Sequence, residues 1–144
     1  MKKSIFFLLL TTLFFGFSPL ECQAQEGAIL LEKDHSLHSN FHKFALSRIN
    51  TINRNFLHTP ENMFIEGNGS VYVGRYHKVD HSSVVVEVKQ INSNTAPFIG
   101  VMQYVESVFE SNGQCNISAA EGPFNPVRHR KVTEIFRYVQ NRWQ

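Results

Sequence analysis

Arg75 and His77 alternate with Val73 and Val79 in the stretch Tyr72-Val-Gly-Arg-Tyr-His-Lys-Val79. A strand here puts a guanidinium and an imidazole on the same face as the valines. Burying an unpaired guanidinium is very costly, so Arg75 needs a carboxylate, a bound anion or a route to water. A pocket between this strand and a covering helix, with Arg75 and His77 in its wall, would meet that need and hold a small acidic or polar ligand. The plainer reading places the two residues at the sheet margin, with the Arg stem packed and its head in water.

Two further constellations carry potential chemistry. His35, His38 and His42 stand at i, i+3 and i+7 and share one helical stripe, a spacing that can serve zinc or copper with Asp34 or Glu32 as an oxygen ligand. Three His on one straight helix need a ligand from elsewhere to close a tetrahedron, and the alternative is a pH-sensitive solvated face. Pro126-Val-Arg-His-Arg-Lys131 gathers Arg128, Arg130 and Lys131 into a basic cluster. It reads either as a solvated loop or as a docking patch for anionic headgroups, sugar phosphates or an acidic partner, with Phe124 and Phe136 adding apolar area.

Signatures of catalysis are scarce. The chain contains no Gly-x-Ser-x-Gly, no phosphate-cradling glycine loop and no His-Glu-x-x-His. Cys115 and His129 could form a thiol nucleophile and its base, yet nothing in their spacing supplies the geometry. Glu106 and Glu110 share one side of a strand about 13 Å apart, too far for a paired-carboxylate site. No cofactor is implied by any motif.

The elements that must position these groups follow from periodicity. Leu37, Phe41, Phe44, Ala45, Ile49, Ile52 and Phe56 fall on one helical face, with Asp34 or Ser36 as N-cap and Thr59-Pro60 as the stop. Residues 61–69 have loop composition. Val71 to Val79 and Val84 to Gln90 read as an antiparallel hairpin around Asp80-His-Ser-Ser83, with Val79 facing Val84, His77 facing Val86 and Arg75 facing Val88. Phe98 to Glu110 reads as a third strand, although Val101, Val105, Val108 and Phe109 also suit a helix; Pro97 and Gly100 favour the strand. Residues 111–131 read as a long loop, functional or mobile, and Lys131 to Val139 as the last strand.

The predicted fold is therefore α+β: one amphipathic helix packed on a four-stranded antiparallel meander sheet, forming a single domain over 37–144 after a tail at 25–36. In the order of its elements this layout is similar to the cystatin-like arrangement. The resemblance implies no inhibition of proteases, because the inhibitors' Gln-x-Val-x-Gly tip is replaced here by Val79-Asp-His-Ser-Ser83 and no Pro-Trp occurs.

Residues 1–24 have the layout of a cleaved secretory leader: Lys2 and Lys3, the apolar run Ile5 to Phe17, and Cys22-Gln-Ala24 before the cut. The rival reading makes Cys22 a lipidated first residue, against which stand Glu21 and Pro19 where a lipobox wants small and Leu residues. The expected location is periplasmic or secreted, in a bacterium. Taking Lys2 and Lys3 from 14 basic residues and Glu21 from 12 acidic ones leaves a net charge of about +1, which argues against nucleic-acid binding. No second long apolar run offers a transmembrane anchor. Cys115 is then the one cysteine left, as a buried small hydrophobe, an intermolecular staple or a reactive thiol.

Together these features point to an exported, non-enzymatic binding or accessory domain. Its partner, a protein or other envelope component, would meet the outward tyrosines Tyr72, Tyr76, Tyr104 and Tyr138 and the basic cluster, and a homodimer is possible. The rivals are a small-ligand pocket or small enzyme built on Arg75 and His77, and a metal site on the helix histidines.

Overall fold

The apolar stripe from Leu37 to Ile52 forms helix α1, Ser36–Asn55, in a computed structural model that describes residues 27–144. The leader, its cleavage after Ala24 and Cys22 lie outside the described residues. The N-cap is His35, whose Nδ1 accepts the Leu37 N–H at 3.1 Å, in place of the expected Asp34 or Ser36. Phe41, Ala45 and Ile49 are fully buried along the inner face of the helix. At the other end Asn53 clamps α1 to the sheet: its amide donates to the Val79 carbonyl at 2.9 Å and accepts the Val79 N–H at 2.8 Å.

The fold is α+β, with one main helix and a seven-stranded antiparallel sheet. In chain order the strands are β1 (Ile29–Leu30), β2 (Phe64–Gly67), β3 (Tyr72–Val79), β4 (Val85–Gln90), β5 (Phe98–Gly113), β6 (Asn125–Val139) and β7 (Arg142–Trp143). The segment from Phe98 is thus a strand throughout, and two short strands lie in what composition marks as the tail and a loop. A short helix α2, Asn116–Glu121, sits between β5 and β6.

β5 is the axis of the sheet. It pairs with β6 along one edge from Phe98 to Glu110, and along the other edge with β4 and then β3. The expected hairpin of Val71–Val79 and Val84–Gln90 does not exist. Both segments run antiparallel to β5 on the same edge, Val79 opposite Glu106 and Val85 opposite Gln103, with a single 3₁₀ turn at His81–Ser83 between them. Asp80 caps that turn by accepting the Ser82 N–H at 3.0 Å, and the Ser83 hydroxyl takes the Val105 N–H at 3.1 Å that the interrupted ladder would leave bare. Asp-His-Ser-Ser is turn chemistry, but here it kinks a strand instead of reversing it.

One core lies between α1 and the first half of β5, built from Phe41, Ala45, Ile49, Val79, Val88, Met102, Tyr104 and Trp143. A smaller one lies on the opposite face of the second half, where α2 packs over β3 and β5 and Tyr76 stacks on Phe109 with ring centroids 5.1 Å apart and meets Phe124 at 4.9 Å. The expected long loop at 111–131 is therefore the end of β5, α2 and the first half of β6. Its helix is six residues long, too short to show a period. No described helix is long and apolar enough to cross a membrane.

Gly100 floors the main core. A Cβ at this position would come within 2.4 Å of the Phe41 ring, which itself lies 4.5 Å from the Trp143 ring centroid and has no room to retreat. Gly100→Ala is expected to lower stability by about 1–3 kcal/mol through overpacking. Urea unfolding checks this, and an unchanged midpoint would refute the contact.

Candidate functional site

Beyond the C-terminal end of α1, the face of the sheet that the helix covers continues as rows of charged side chains. Strand alternation places Arg75 and His77 of β3, Glu106, Val108 and Glu110 of β5, and Arg128 and Arg130 of β6 on this face. The register aligns them as Val79, Glu106 and Arg130 in one row, His77, Val108 and Arg128 in the next, and Arg75 with Glu110 in the third. Arg75 thus meets a carboxylate directly opposite, its Nε 2.6 Å from Glu110 Oε1. Of the three escapes open to a guanidinium on this face, the fold combines two, the ion pair and a route to water, since the Arg75 side chain is 36% exposed.

Glu106 is the hub. Its side chain is only 12% exposed, His77 Nδ1 lies 3.2 Å from Oε1, and Arg130 donates to Oε2. Burial pushes the Glu106 carboxyl up, but the hydrogen bonds and charges of Arg130 and His77 outweigh it and hold the pKa below the ordinary carboxylate value. The same bond raises Arg130 above the usual guanidinium value. His77 is fixed from two further sides: its ring leans on Phe56 with centroids 5.5 Å apart, and its backbone N–H donates to the His58 carbonyl at 2.9 Å.

Clefts open on both sides of His77. One, of about 300 Å³, is lined by His77, Glu106, Val108, Arg128 and Arg130. The other, of about 320 Å³, lies between the end of α1 and the loop that follows it, against Asn53, Arg54, Thr59, Pro60, Glu61, His77 and Lys78. In the first, Glu106 neutralises one of two guanidiniums. Among the described residues Arg128 has no carboxylate partner, so this cleft carries a net positive charge with an apolar floor.

The chain matches no family model, no curated protein and no solved structure. What the site can do must therefore come from its own geometry.

Several expected groupings are not assembled. His35 caps α1 through Nδ1, and among the described residues no set of three or more His, Cys, Asp or Glu converges on a metal position, so the stripe His35, His38 and His42 is a helix surface. Tyr104 does not face outward: it is 5% exposed in the main core, and its hydroxyl donates to Glu134 at 2.9 Å, with its pKa pushed up to about 12 by burial and by that carboxylate. Tyr138 packs on Trp143, and Tyr76 is covered by Phe109 and Phe124, so the four tyrosines do not make one recognition surface. Tyr72 lies over Gly67, whose missing Cβ makes room for its ring.

Arg128, Arg130 and Lys131 are strand residues, exposed on β6 and not in a loop. Cys115 is exposed, contrary to a buried role, with its thiol held below the usual value by the Ser118 hydroxyl, while His129 pairs instead with Ser107, Nδ1 to Oγ 2.9 Å.

The residues missed in advance were Glu106 and Glu110 as partners of His77 and Arg75. Spacing along the chain carries no signal for them: the register sets Arg75 opposite Glu110, but His77 opposite Val108 and one row from Glu106.

A depressed carboxylate pKa stabilises the fold above its unfolded value, near 4.5, and that contribution is lost as pH falls through the lower folded value. Glu106→Gln is expected to cost on the order of 1–2 kcal/mol at pH 7. It should also flatten the loss of stability below pH 4.5 relative to wild type. Urea titrations at pH 7 and pH 3 (roughly, the plateau and the acid side) test this; equal acid sensitivity in the two proteins would sink it.

Proposed function

We propose that the chain is an exported binding domain that takes a small anionic ligand, bearing a carboxylate or phosphate, in the cleft of His77, Glu106, Val108, Arg128 and Arg130. The observation that carries this reading is the pairing pattern: Glu106 engages Arg130 and His77, and Arg128 across the same cleft is left without a carboxylate among the described residues. A guanidinium held on a strand presents planar, bidentate donors to an incoming oxyanion. Val108 beneath supplies an apolar contact of the sort that ligand clefts use for the remainder of a small molecule.

Glu106 adds selectivity. By fixing Arg130 it keeps the guanidinium from swinging out to water, and by accepting from Nδ1 it leaves the other ring nitrogen of His77 to meet a ligand. Its own negative charge disfavours an anion placed too deep, so the ligand's charged group belongs at Arg128. Export rests on Lys2, Lys3, the apolar run and Ala24, and is tested separately by the N-terminus of the protein recovered from outside the cytoplasm, expected at Gln25.

The cleft is tested by NMR titration of the chain with inorganic phosphate and with succinate. Backbone shifts are expected to concentrate at His77, Val108 and Arg128, and Arg128→Glu is expected to weaken binding at least about tenfold with the fold intact. Equal weak binding in the variant, or shifts spread over all basic residues, would remove the proposal.

A further inference from the structure

β6 leaves one edge open. From Asn125 to Val139 it pairs with β5 on one side, but on the other, among the described residues, only its last residues are covered, by β7 at Tyr138 and Val139 and by the exchange of hydrogen bonds between Arg137 and Gln144. The opposite end is closed off too: the register slips between Val108 and Phe109, so that Val127 bulges, and Pro126 has no N–H to offer. Between these limits lies Arg128–Phe136, a regular edge whose alternate backbone N–H and C=O groups have no strand to bond among the described residues.

Exposed edges this long are normally blunted, and β6 is blunted by charge of a single sign. Arg128, Arg130 and Lys131 are exposed within four residues, and of these only Arg130 has a carboxylate partner among the described residues. Such a run rejects neutral strands and repels a second copy laid with the same segment against itself. An acidic strand is attracted by the same charges. The other half of the edge differs in kind. Thr133 and Ile135 stand on the face away from α1, and Ile135 is 67% exposed beside a cleft of about 560 Å³ whose floor is Ile99 and Val101 and whose far wall includes Lys89, Ile91 and Asn92.

We infer that the Arg128–Phe136 edge of β6 docks an extended segment of a partner protein as an added antiparallel strand, acidic where it passes Arg128–Lys131 and apolar where it passes Thr133–Phe136. Main-chain bonds would supply affinity, and the two halves would fix register and direction. A partner lying antiparallel continues the pattern of the sheet and enters with its apolar half first. The site is separate from the anion cleft in its outward residues: His129, Lys131 and Ile135 do not line that cleft.

The test uses a capped, fluorescent nonapeptide, Val-Thr-Val-Thr-Val followed by four Glu, titrated into the chain. Saturable binding is expected, with new hydrogen-exchange protection in Arg128–Phe136. It should be lost when alternate backbone nitrogens of the peptide are methylated in the phase that faces β6. Lys131→Glu is expected to weaken the peptide at least about tenfold while phosphate binding in the cleft is unchanged, so failure here and failure of the cleft are told apart. Equal binding by the peptides methylated in either phase, or by the reversed sequence, would reduce the effect to charge attraction and overturn the inference. So would a dimer of the chain alone, in sedimentation, with the β6 edge already protected.

Discussion

A sheet longer than the helix that covers it governs this molecule. β5 has 16 residues and, at about 3.3 Å each, extends about 53 Å, whereas the 20 residues of α1 span about 30 Å. One face of β5 therefore has a covered half, where alternation selects Gly100, Met102 and Tyr104, and an uncovered half, where the same alternation selects Glu106, Val108 and Glu110. The uncovered half cannot be apolar without exposing a broad greasy strip. It is charged, and each charge projecting from β5 finds a partner on a neighbouring strand. The face behind it needs its own cover, which α2 provides at the cost of two close approaches: Gly74 lies where a Cβ would strike the Ala119 carbonyl at 2.5 Å, and Gly113 where one would strike Ser118 and Ala119.

The kink at Asp80–Ser83 makes the long strand workable. Uninterrupted alternation would send Val79 and Val85 to the same face. The 3₁₀ turn shifts the phase by one, so that Val79 below it and Val86 and Val88 above it all face α1, while Val85 faces away. A hairpin read from the sequence assigns these valines to one face as well, which is why the face assignment of β3 and β4 was legible although their pairing was not. Periodicity reports which side a residue is on. It does not report whether the chain reverses between two strands, and Asp-His-Ser-Ser is compatible with either.

Other features were hidden for separable reasons. The helix α1 was readable because burial imposes a clear pattern on it, whereas the spacing in Phe98–Glu110 suits a helix as well and only Pro97 and Gly100 favoured the strand that forms. The first half of β6 was not, because an edge strand beyond the helix is exposed on both faces and no alternation is enforced, so Arg128–Lys131 resembled a charged loop. Tyr104 was misassigned with its neighbours: with the strand's inner face tracked through Gly100 and Met102, the tyrosine falls inward, where Glu134 satisfies its hydroxyl. Arg75 was singled out as needing a carboxylate, an anion or water, but its carboxylate, like that of His77, sits some 30 residues downstream on β5, and only the register connects them.

Two carboxylates on the same face show how position along the sheet separates structure from accessibility. Glu134 of β6 accepts from Tyr104 at 2.9 Å and from Arg48 of α1 at 3.1 Å, so the helix itself supplies one partner of that carboxylate. Glu106 lies two residues further along β5 than Tyr104, past the helix, and is met by Arg130 from the neighbouring strand and by His77. Both carboxylates are bonded by a guanidinium and one other donor, but Glu134 takes its guanidinium from the helix, whereas Glu106 takes its own from a neighbouring strand beside the cleft of His77 and Arg128. The difference is the end of α1 at Asn55. A helix extended by two turns would cover His77 and Arg128 and turn the charged rows into a second structural network, whereas the break at Phe56, where the backbone becomes extended, leaves them facing a cleft.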